Sequence, residues 1–159
     1  MIRVKGFTLI ELMVVVALVA IIATIAVPSF GVLISDNRSE SQAEELNSLL
    51  QYARSEAVIR KVTSTVTIDP GAAKITVSAN AEPLRSSALN LGNVVFATSA
   101  NTLSYHPNGT ASTPNFSAIF CSDNKAATGR LLTVSASGAT KLHQKGKKAD
   151  GSALGSCSI

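Results

Sequence analysis

Residues 7–27 read Phe-Thr-Leu-Ile-Glu-Leu-Met-Val-Val-Val-Ala-Leu-Val-Ala-Ile-Ile-Ala-Thr-Ile-Ala-Val, 21 residues with a single charge, at Glu11. As a helix this run is about 31 Å long, close to the thickness of a bilayer's hydrocarbon core. A carboxylate four residues into such a segment costs about 2.5–3.5 kcal/mol on insertion scales. Two readings follow. Either Glu11 snorkels to the interface as an incidental acid near the end of an anchor, or it meets a cation supplied by processing or by a neighbouring subunit.

The cations Arg3 and Lys5 precede the run. Positive charge on that side places the amino terminus in the cytoplasm and everything after Pro28 across the membrane. An ordinary secretory signal is the alternative, cut near residues 23–26, but the apolar run is longer than a usual h-region. Of 14 basic residues against 10 acidic ones, two lie in residues 1–6, so removing that stretch lowers the net charge from +4 to +2. The rest of the 159-residue chain suffices for one modest soluble domain.

Beyond Pro28, where a kink is expected, the helix is expected to continue. Leu46, Leu49, Leu50, Ala53 and Ala57 form one helical stripe, and Glu56 and Arg60 make an i, i+4 pair. Gly31 and Asp36-Asn37 are its weak points. From residue 63 the period changes to that of strands: 63–68 and 74–79 as a hairpin, then 93–98, 103–106, 116–121, 130–135 and 139–143, with 81–91 read as loop.

Cys121 and Cys157 fall on the side of the membrane where an oxidising compartment favours pairing. Joined, they close a loop of about 37 residues, worth roughly 4 kcal/mol at most; the alternative is two buried free thiols. These cysteines and the isolated His106 and His143 show no metal-ligand spacing, and no cofactor is expected. Nor is an enzyme: there is no nucleophile elbow and no Gly-rich phosphate loop. Residues 121–159 carry six cations and two anions, with Lys141, Lys145, Lys147 and Lys148 forming a basic tail. Such a tail is either a solvated loop that guards a sheet edge or a set of phosphate contacts giving salt-sensitive binding. No aromatic residue lies among these lysines for base stacking.

Lys5-Gly6-Phe7-Thr8-Leu9-Ile10-Glu11 resembles the class III signal of type IV pilins and type II secretion pseudopilins. That resemblance implies that a prepilin peptidase cuts between Gly6 and Phe7, that Phe7 is N-methylated, and that Glu11 meets a neighbour's amino terminus during assembly. Residues 44–58, Tyr105-His106-Pro107-Asn108-Gly109-Thr110, and Gly129-Arg130-Leu131-Leu132-Thr133-Val134 with Ser137-Gly138 resemble the minor pilin and minor pseudopilin H family of the FimU and FimT type.

The fold implied is α+β, a pilin fold with a long N-terminal transmembrane helix packed on an antiparallel β-sheet head and a C-terminal disulfide. Residues 1–6 would be leader, 7–28 the transmembrane and assembly helix, and 29–159 the soluble head, helical to about 61 and β-rich from 62. The implied role is a minor subunit near the pilus tip that primes assembly and joins other minor pilins to the major pilin, on an inner-membrane assembly platform. Before assembly it would sit in the bacterial inner membrane with a periplasmic head, and afterwards in the cell-surface pilus. Leader and helix alone do not separate a pilus subunit from a type II secretion pseudopilin. Some relatives bind DNA for uptake through Gly-Arg-x-Arg after the last turn; here that stretch is Gly138-Ala139-Thr140-Lys141, and Lys145, Lys147 and Lys148 supply neighbouring charge.

Overall fold

In the computed structural model, which describes residues 7–159 with the side chains of 27–29 excepted, one helix, α1, runs over Leu9–Arg60. Gly31 and Asp36-Asn37 do not interrupt it. The leader with Gly6, and the side chain on which the expected kink at Pro28 turns, lie outside the described residues. The chain divides into two units, residues 1–34 and 35–159.

In the first unit every described large apolar side chain is exposed, from Phe7, Leu9 and Ile10 to Val32, Leu33 and Ile34. An apolar surface of that extent requires lipid or a partner protein around it.

In the second unit the remaining turns of α1 bury one stripe, Ser39, Ala43, Leu46, Leu49, Leu50, Ala53 and Ala57. Each leucine so buried contributes roughly 1.5–3 kcal/mol. The helix stops at Arg60, whose guanidinium pairs with Glu56, and Lys61 turns the chain away at φ 57°. Eight strands follow: β1 (Ser64–Asp69), β2 (Lys74–Ala79), β3 (Glu82–Ala88), β4 (Val94–Thr98), β5 (Thr102–Tyr105), β6 (Phe116–Ser122), β7 (Arg130–Val134) and β8 (Thr140–Leu142). They form two antiparallel four-stranded sheets, ordered β3-β2-β1-β5 and β4-β6-β7-β8.

Alternation aims Val66, Ile68, Ile75, Val77, Leu103 and Tyr105 of the first sheet, and Phe116, Ala118, Phe120, Leu132 and Val134 of the second, into one core with the helix stripe. Strand β6 is apolar on both faces. Ile119 and Cys121, on its other face, form a smaller cluster with Cys157, covered by Leu131 and Leu154. The C-terminal segment therefore folds back over the second sheet, where the Cys121–Cys157 disulfide pins it with Cα atoms 6.0 Å apart.

Strand β3 corrects the loop expected at 81–91. It is an outer strand, which tolerates Pro83, and it pairs with β2 through an irregularity at Val77/Ser78. Asn80 and Ala81 form the connecting turn at φ 48° and 65°.

Candidate functional site

Three places carry polar chemistry beyond the needs of the core. The first is the start of α1. The Thr8 carbonyl accepts a hydrogen bond from the Leu12 N–H at 3.2 Å, and its Oγ1 accepts one from the Glu11 N–H at 3.3 Å. Thr8 is thus the N-cap, and Thr-x-x-Glu is the spacing of a capping box. Glu11 lies in the first helical turn, where the helix dipole favours a negative charge. Among the described residues its carboxylate has no hydrogen-bond or ion-pair partner, while Phe7, Leu9, Ile10 and Leu12 beside it are exposed apolar groups. Once lipid or protein surrounds that surface, the carboxylate needs a cation from elsewhere. Sequence reasoning singled out Glu11 and Phe7 but missed the cap, although the Thr8-to-Glu11 spacing signals it.

The second place is where Arg54 leaves the helix to hold two turns. Its Nε donates to the Gly109 carbonyl at 3.0 Å and its NH2 to the Ser137 carbonyl at 2.9 Å. The Gly109 turn is closed by Asn108, whose Oδ1 accepts from the N–H and hydroxyl of Thr110. A groove of about 560 Å³ opens there, lined by Arg54, Val58, Ile59, Asn108 and Gly138 among others. Within reach of the Arg54 charge, the Tyr105 hydroxyl is buried without a hydrogen bond among the described residues, and burial raises its pKa to about 12.

The third is the basic tail, which the structure divides. Lys145 Nζ donates to Asp36 Oδ2, and Arg130 pairs with Glu40. Nearby, the Ser122 hydroxyl donates to that of Ser35 at 2.7 Å in a buried contact. Lys141, Lys147 and Lys148 are exposed and, among the described residues, make no ion pair. They edge a recess of about 320 Å³ that also involves His143. His143 is buried, its Nε2 shares a hydrogen bond of 2.8 Å with the Thr133 hydroxyl, and its pKa is lowered first by desolvation and then by Lys141. His106 lies apart, beside the Gly109 turn, where its carbonyl accepts from the Gly109 N–H. Among the described residues no three His, Cys, Asp or Glu side chains gather as metal ligands.

A long apolar N-terminal helix, two antiparallel sheets on its later turns and a disulfide closing the C-terminal segment define the pilin fold. The chain belongs to the family of the type II transport protein GspH, whose profile matches residues 42–138, and residues 1–27 match the prokaryotic N-terminal methylation motif. Among solved structures it is similar to the type IV minor pilin FimU of Pseudomonas aeruginosa, with 28% identity and a TM-score of 0.65 over 76% of this chain and 96% of that one. A second crystal form of FimU gives 29% identity and a TM-score of 0.62, covering 74% and 98% of the two chains. The minor pseudopilin EpsH of the Vibrio cholerae type 2 secretion system shares the fold, at 15% identity and a TM-score of 0.55 over 69% of this chain and 99% of that one. No curated protein matches the chain by sequence.

Proposed function

We propose that the chain is a structural, non-enzymatic minor pilin incorporated near the tip of a type IV pilus, where it primes assembly and links other minor pilins to the major pilin. The observation that carries the reading is the Glu11 carboxylate, unpartnered among the described residues, in the first turn of an exposed apolar helix, four residues after Phe7. Prepilin peptidase cleavage between Gly6 and Phe7 would create an amine at the helix start. N-methylation leaves that amine a cation, and a neighbour's Phe7 amine then neutralises Glu11 as both leave the inner membrane for the filament on the assembly platform. The likeness to FimU supports a pilus. A type II secretion pseudopilus is the second reading, supported by the GspH family profile. DNA binding through Lys141, Lys147 and Lys148 is a further activity that the exposed charge of the tail supports, with Lys145 withdrawn from it by Asp36.

The test is Glu11→Ala beside Glu11→Gln. Both should insert in the membrane and be processed, yet be depleted from sheared filaments, with loss of pili or of secretion telling the two readings apart. Normal incorporation of both variants contradicts the role given to Glu11.

A further inference from the structure

The basic tail is one run in sequence and two devices in the fold. All four lysines are exposed, but Lys145 is paired with Asp36, whereas Lys141, Lys147 and Lys148 line one recess and, among the described residues, make no ion pair. Asp150, two residues from Lys148, stays charged: its Oδ1 accepts from the N–H and the hydroxyl of Ser152 at 2.9 and 2.7 Å, these bonds and then Lys148 hold its pKa low, and it offsets only part of the three positive charges. Lys141 sits in β8, paired opposite Thr133, and the loop that carries Lys147 and Lys148 is held by the Gly146 N–H on the Gly129 carbonyl at 2.8 Å and by the Leu154 N–H on the Gly146 carbonyl at 2.9 Å. Three cations are therefore presented on a fixed support.

We propose that Lys141, Lys147 and Lys148 form a docking face for the phosphate headgroups of an anionic membrane, with Lys145 serving as a fold lock rather than a ligand. The choice of lipid over other polyanions rests on tether length. Lys145 is bonded to Asp36, and Asp36 is nine residues beyond Val27, the last residue of the apolar run. Nine residues reach at most about 30 Å even when fully extended, so the face is leashed close to the bilayer surface if residues 7–27 span it. Lysines held near an anionic surface are attracted individually, and screening by salt weakens the attraction. Docking would hold the head against the membrane before assembly, and extraction into a filament would break it. The proposal rests on the membrane-spanning reading of residues 7–27.

The test reconstitutes the full chain into vesicles of phosphatidylcholine alone and of phosphatidylcholine with one third phosphatidylglycerol. Flotation reports insertion, and acylation of each lysine by a soluble amine reagent, followed by mass spectrometry, reports docking. At low ionic strength Lys141, Lys147 and Lys148 should react about tenfold more slowly in the anionic vesicles, and the difference should vanish at high salt. Lys74, exposed at the start of β2, should be unaffected. In Lys145→Gln the slowing should persist despite lower stability, while in Lys147→Gln/Lys148→Gln it should be lost at Lys141. Equal rates in both vesicle types, with the chain floating in both, overturn the docking face alone. Protection in neutral vesicles by a single-stranded oligonucleotide, or by inorganic phosphate, with none from phosphatidylglycerol, also overturns it and assigns the recess to that ligand. A chain that floats with neither vesicle overturns the membrane-spanning reading and the docking face together.

Discussion

Gly138 and Gly109 approach so closely that a Cβ on Gly138 would lie 2.0 Å from the Gly109 carbonyl oxygen. Gly138 also sits at φ +79°, and Arg54 holds both turns, through the Gly109 and Ser137 carbonyls. Gly138→Ala must therefore adopt an unfavourable backbone and push apart the two turns that Arg54 joins. A loss of more than about 2 kcal/mol is expected in denaturant unfolding of the detergent-solubilised chain, the left-handed backbone and the clash each supplying part. Unfolding at the wild-type midpoint would mean that the turns are not held together as described.

The β2-β3 hairpin carries the opposite opportunity. Ala79 pairs with Glu82, and the two residues between them, Asn80 and Ala81, both have positive φ, as a type I′ turn requires. Asn tolerates that backbone and Ala does not. Ala81→Gly is expected to raise stability by about 0.5–1 kcal/mol, read as a shift in the thermal midpoint, although glycine loosens the unfolded chain.

His143 makes stability depend on pH. Burial, followed by the charge of Lys141, lowers its pKa in the folded chain, so it is neutral there under conditions in which the unfolded chain, with a pKa of about 6.5, takes up a proton. The unfolded state binds more protons, so the stabilisation is fully present above about pH 6.5 and is lost as pH falls towards the folded pKa. Denaturant midpoints should fall in that window for the wild type. In His143→Gln, which retains a hydrogen-bonding partner for Thr133, that part of the fall should disappear.

The disulfide joins residues 36 apart and closes the segment that covers the outer face of β6. Replacing both cysteines by alanine is expected to cost up to about 4 kcal/mol in unfolding. Without that covalent tie the C-terminal segment is held by backbone bonds such as that of the Leu154 N–H to the Gly146 carbonyl, so proteolysis should cut first there.

Much of this was legible before any coordinates, for physical reasons that differ from place to place. The apolar run and Glu11 stand out because the cost of a charge in hydrocarbon is large and independent of tertiary context. The stripe Leu46, Leu49, Leu50, Ala53 and Ala57 is visible because one helix face is buried at a fixed period. Strand β3 was hidden: its turn is Asn-Ala where the usual signal is Asn-Gly, and Pro83 argues against a strand unless the strand is known to lie at an edge. The division of the basic tail was equally invisible, since Asp36 and Lys145 are 109 residues apart and no local pattern joins them. The capping of α1 by Thr8 was readable and overlooked, its spacing being masked by the hydrophobic run in which it sits.

The most direct measurement is the mass and the terminal sequence of the protein recovered from membranes of cells that express a prepilin peptidase. The expected species begins at Phe7, carries a single methyl group on its amino nitrogen and lacks residues 1–6. A protein that keeps Met1 throughout, with Phe7 never liberated, would leave Glu11 without the amine assigned to it and would contradict the proposed route into a filament.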